Sequence, residues 1–69
     1  MKEFNNEKLR ERVIAYRKKY ATPYKCIGVE MGLEYDVAKY LISRFMRGII
    51  NLNDETQAML NEYLTKHGF

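Results

Sequence analysis

Ile27-Gly28-Val29-Glu30-Met31-Gly32 and, further on, Ile42-Ser43-Arg44-Phe45-Met46-Arg47-Gly48 decide the fold of this chain. Each segment places apolar residues at helical spacing and ends in a glycine able to take the left-handed conformation just past a helix. Glycine inside a helix costs about 1 kcal/mol relative to alanine, so Gly28 calls for a packing reason. Close crossing of a second helix supplies one: a small residue at 28 lets the next helix approach, Ile27 and Met31 face the core, and Gly32 makes the tight turn. The two segments therefore predict short packed helices over about 23–31 and 35–47.

Outward from this pair, the punctuation continues. Asn5 suits the N-cap of a first helix over about 5–20, with Glu7 in its first turn and Phe4 placed to pack on Leu9. Leu9, Val13, Tyr16 and Tyr20 recur at three- and four-residue spacing and form its buried stripe. Thr22-Pro23 reads as a hydroxyl N-cap followed by proline at the first position of the second helix, about nine residues long. Val37 or Ala38, Leu41, Ile42 and Phe45 give the third helix its apolar stripe. Asn53 caps a fourth helix over about 54–66, whose apolar face is Met59, Leu60, Tyr63 and Leu64, and whose end is suited to Lys66 and His67. No run alternates at period two, so the expectation is an all-α, compact four-helix domain spanning residues 1–69.

At 69 residues the chain has room for one small core, and a hydrophobic fraction of 46% with six Tyr and three Phe is enough to fill it. Cys26 and His67, each the sole residue of its type, cannot build a disulfide framework or a zinc site, and Cys26 is expected to pack as a small apolar residue. No cofactor motif, phosphate loop, metal spacing or nucleophile with a nearby histidine is present, so neither an enzyme nor a cofactor or metal protein is expected. The absence of a leader-like or spanning apolar run points to a cytoplasmic protein with no membrane partner. Net charge is +3, unevenly spread: residues 1–25 hold eight Lys/Arg against three Glu, whereas residues 51–69 hold one Lys against three acids. That asymmetry suits a domain with one side turned to a polyanion.

Ile27 to Gly32 resembles the Leu-Ala-x-x-Leu-Gly signature of the Cro/CI-like (lambda-repressor-like, xenobiotic-response-element-type) helix-turn-helix family. Ile42 to Gly48 resembles the Ile-Ser-Arg-φ-Glu-Arg-Gly end of that family's recognition helix, and Leu52-Asn53-Asp54-Glu55-Thr56 with Leu60 and Leu64 resembles the capped helix that follows. The likeness runs over roughly residues 8–65. It implies a helix-turn-helix fold and a small sequence-specific regulator, of the phage or mobile-element repressor kind, with double-stranded DNA as partner and the helix about 35–47 in the major groove. One domain reads only a short half-site, so a homodimer is implied, and no small-molecule substrate.

Two departures bear on which side chains do what. Gly32 and Gly48 lie sixteen positions apart where the family has about twelve, so four extra residues lengthen either the recognition helix by one turn or the loop before it. In the turn register Tyr35, Asp36 and Tyr40 inherit the base-reading places; in the Ser-Arg-Phe register Lys39, Tyr40, Ser43 and Arg44 do. Chemistry favours the second, since Arg forks to guanine, Lys is a mobile donor, and Asp36 repels phosphate unless it accepts from cytosine N4. Met46 stands where the family often has a Glu that pairs with an arginine of the first helix, which leaves Arg10 or Arg12 open to phosphate or to a local carboxylate. Phosphate contacts are expected from Thr22, Tyr24, Lys25, Arg17 and Arg47, the second helix lying across the backbone. The dimer surface is expected on the fourth helix, at Met59, Tyr63 and Phe69. A protein-binding adaptor or inhibitor that keeps the fold without reading DNA is the other reading open at this point, because six tyrosines suit a protein interface too.

Overall fold

Four helices form, two of them started by asparagine caps and all of them closed by a residue in the left-handed conformation. The computed structural model describes residues 5–69 and contains α1 (Asn6–Tyr20), α2 (Tyr24–Glu30), α3 (Tyr35–Met46) and α4 (Asp54–Lys66), with no strand among them. Asn5 and Asn53 cap α1 and α4 through side-chain oxygens that accept from the Lys8 and Thr56 amides. The expected packing of Phe4 on Leu9 lies outside the described residues.

Gly32, Gly48 and Gly68 all have positive φ, at 116°, 80° and 87°. After α2 the Leu33 amide bonds the Gly28 carbonyl and the Gly32 amide that of Val29; the same pair of bonds recurs after α3 and α4. These are Schellman closures, which satisfy carbonyls that a helix end otherwise leaves open. Helix α1 ends differently, on Ala21 at φ 56°, with its amide bonded to the Arg17 carbonyl.

The start of α2 departs from expectation by one residue. Pro23, not Thr22, is the N-cap, at φ −60° and ψ 151°, and its carbonyl accepts from Cys26 and Ile27. The Thr22 carbonyl instead takes the Arg17 Nε, so the Thr22 hydroxyl does no capping and α2 is seven residues long rather than nine.

Helix α2 packs chiefly on α3, and α1 on α4. Leu9, Val13, Tyr16, Ile27, Phe45, Leu52, Leu60, Tyr63 and Leu64 form the core where the four meet. Gly28 is buried, and a Cβ built there would stand 2.5 Å from the Ala38 Cβ and 2.9 Å from its Cα. Ordinary carbon contacts are about 3.5–4.0 Å, so close packing, rather than a weak helix end, accounts for this glycine. Tyr20, expected in the α1 stripe, is 46% exposed, because the stripe runs off the core after Tyr16.

Gln57 is an unforeseen buried polar residue: its Nε2 donates to the Leu52 carbonyl at 2.7 Å, tying the start of α4 to the segment before it. Cys26 is a half-buried free thiol. No described helix is long and apolar enough to cross a membrane.

Candidate nucleic-acid interface

The turn between α2 and α3 is short. Only residues 31–34 separate the two helices, whereas α3 runs for twelve residues, so the sixteen-position interval from Gly32 to Gly48 is absorbed by the helix and not by a loop. With α3 starting at Tyr35, the two registers fall on one helix. Ala38, Ile42 and Phe45 are buried; Asp36, Lys39, Tyr40, Arg44 and Arg47 are exposed, and Ser43 is half-buried at the edge of the same outward face. A helix advances about 1.5 Å per residue, so this face extends about 16 Å from Asp36 to Arg47.

The segment before α3 brings further basic side chains to its beginning. Arg17 donates to the Thr22 carbonyl at 3.0 Å and lies with its Cζ 4.4 Å from the centre of the Tyr24 ring. One residue on, the Lys25 Nζ stands 6.0 Å from the Tyr35 ring. Arg17, Thr22, Tyr24 and Lys25 thus form a corner between the end of α1 and the start of α2, which adjoins the first residue of α3. Arg44 Cζ sits 5.3 Å from the Tyr40 ring, one turn along the outward face.

Arg10 and Arg12 do not belong to this surface, contrary to the possibility that one of them is open to phosphate. Arg10 Nε donates to the Phe45 carbonyl, its Nη2 to the Ile50 carbonyl at 3.0 Å and to Asn51 Oδ1 at 2.9 Å, and its guanidinium covers the Phe45 ring at 4.6 Å. It therefore closes the end of α3 from the side of α1. Arg12 is equally engaged, with Nε on the Phe69 carbonyl, Nη1 on Asn61 Oδ1 and Nη2 on Thr65 Oγ1. Both bind acceptors 35 or more positions away in sequence, a relation that no local spacing signals.

The residues expected at a dimer surface fare unevenly. Tyr63 is 5% exposed and belongs to the core, which removes it from any surface contact. Its hydroxyl donates to Glu30 Oε1 at 2.5 Å and lies 2.7 Å from the Tyr16 hydroxyl, so a chain of hydrogen bonds ties α1, α4 and the end of α2. Burial above all, then the bonds to Glu30 and Tyr16, pushes the Tyr63 phenol well above the ordinary tyrosine range. Phe69 is half-buried, edge-on to Tyr16 with ring centres 5.6 Å apart. Met59 is half-buried too, and its Cε would lie 3.3 Å from a Cβ at Gly32, so it covers the turn after α2. Among the described residues the large apolar side chains that do face solvent are Ile14, Tyr20, Val29, Tyr35, Tyr40 and Ile49.

His67 closes α4, its Nδ1 2.9 Å from the Tyr63 carbonyl. Among the described residues no group of three or more His, Cys, Asp or Glu is placed to hold a metal ion. No family model matches the chain, and neither a curated protein nor a solved structure matches it.

Proposed function

We propose that this chain is a sequence-specific double-stranded-DNA-binding regulator, a repressor of the lambda-repressor-like helix-turn-helix kind, that lays α3 in the major groove. One observation carries the reading: α3 turns Lys39, Tyr40, Ser43, Arg44 and Arg47 outward on a helix locked to α2, with Lys25 beside its first residue and Arg17 next to Lys25's neighbour Tyr24. Lys39, Tyr40, Ser43 and Arg44 line the base edges, Tyr40 with the face of its ring and Arg44 forking to guanine O6/N7. Lys25, Arg17, Tyr24, Thr22 and Arg47 meet phosphates and set the register. A face of about 16 Å spans at most about five base-pair steps, so a homodimer on two half-sites supplies useful affinity. No catalytic step, cofactor, metal or small-molecule substrate enters this function.

Half-exposed Tyr35 and Tyr40 also suit a protein partner, the role of an adaptor or inhibitor on the same fold. Salt separates the two. Titration of a mixed-sequence duplex from low to moderate salt should weaken binding with a log-log slope of about −3 per domain, the value for phosphate contacts by the three cations Lys25, Arg17 and Arg47. No duplex binding at low salt overturns the regulator. On a duplex selected from a random pool, Arg44→Ala should cost about 1–3 kcal/mol and relax preference at one base pair, whereas Lys25→Ala should weaken cognate and scrambled duplexes alike.

A further inference from the structure

The six tyrosines divide into two sets by what their rings touch. Tyr16, Tyr20 and Tyr63 interlock with one another and with His67 and Phe69. Tyr24, Tyr35 and Tyr40 share none of that cluster, and each has one cation against its ring: Arg17 at 4.4 Å, Lys25 at 6.0 Å and Arg44 at 5.3 Å; Tyr20 has Lys19 at 5.5 Å as well, but its ring packs within the first set. Tyr35 and Tyr40 are 54% and 50% exposed, so core packing does not account for them. A ring against a guanidinium or ammonium limits the rotamers of a long flexible side chain while leaving N–H donors free to bond elsewhere.

We infer that Tyr24, Tyr35 and Tyr40 are positioning residues of the DNA surface, their rings holding Arg17 and Lys25 for flanking phosphates and Arg44 for the edge of a guanine. This rests on the regulator reading above and adds a division of labour to it. Tyr40 acts through Arg44 on base choice; Tyr35 acts through Lys25 on affinity alone. Arg44 is the one cation of the three on the outward face of α3, which is why only its ring partner affects sequence preference. The requirement is for the aromatic face and not the hydroxyl, so phenylalanine serves at either position.

The test uses the whole chain and two duplexes: a selected cognate site, and the same site changed at the base pair where Arg44→Ala loses discrimination. Tyr40→Leu should lower cognate affinity about two- to fivefold and shrink the preference between the duplexes, with Tyr40→Phe close to wild type. Tyr35→Leu should lower affinity for both duplexes by a similar factor and leave their ratio unchanged. Both rings are exposed, and unchanged thermal midpoints will show that the variants fold. Equal losses for Tyr40→Leu on both duplexes, or a Tyr40→Phe loss as large as that of Tyr40→Leu, overturn the inference while the regulator stands. Failure of the wild-type chain to bind any duplex overturns the regulator and the inference with it.

Discussion

Gly28→Ala tests the packing on which the orientation of α3 depends. The added Cβ would lie 2.5 Å from the Ala38 Cβ, 2.9 Å from the Ala38 Cα and 3.0 Å from the Ile42 Cγ1. Carbon contacts settle at about 3.5–4.0 Å, so α3 must withdraw by about 1 Å, and a Cα cannot swing aside as a side-chain tip can. Overpacking of this kind costs about 1–3 kcal/mol and belongs here at the upper end, while alanine regains about 1 kcal/mol of helix propensity. The net loss is about 1–2 kcal/mol, from a total of roughly 3–10 kcal/mol for a domain of this size. Urea denaturation should show a lower midpoint at unchanged slope, and the thermal midpoint should fall by about 5–15 °C. Ala38→Gly removes the nearest of the three atoms, so Gly28→Ala should cost less in that background, with a coupling of about 0.5 kcal/mol or more. A Gly28→Ala variant as stable as wild type, or more so, refutes the close-approach argument.

Arg10→Ala should lower stability by about 2 kcal/mol, read from urea midpoints, because it strips a charged donor from the Phe45 carbonyl at the end of α3 and from the Ile50 carbonyl in the segment after it. Arg10→Lys should recover only part of this, since an ammonium lacks the planar fork. Tyr63 supplies a pH test: its phenol is raised above the ordinary value of about 10, so the folded chain keeps a proton that the unfolded chain loses. The stabilising contribution is complete below pH 10 and declines as pH rises beyond it. Thermal midpoints should therefore fall more steeply above about pH 10 in wild type than in Tyr63→Phe.

The helices were legible because their signals are local. Asn5, Asn53, Gly32 and Gly48 each act within four residues of themselves, and each sits at the end it marks. Thr22 misleads because Pro23 takes the extended N-cap conformation itself and Arg17 claims the Thr22 carbonyl. The outward face of α3 follows from the apolar stripe it opposes, and the length of the turn, which spacing alone left open, follows from where Tyr35 begins the helix. Met59, Leu60, Tyr63 and Leu64 form a single stripe in the sequence, and a stripe does not tell which members face the centre, so the burial of Tyr63 is visible only in the fold. The partners of Arg10 and Arg12 were hidden for a different reason: backbone carbonyls and asparagines carry no sequence signature, and folding alone brings them within reach.

The hydroxyl chain from Tyr16 through Tyr63 to Glu30 also governs how this sequence can drift. Phenylalanine at position 63 deprives both neighbours of their partner, while phenylalanine at 16 and 63 together with an apolar residue at 30 removes the donors and the acceptor at once. Positions 16 and 63, both buried, should therefore change together, polar or apolar as a pair, whereas the exposed Glu30 carboxylate stays solvated without them.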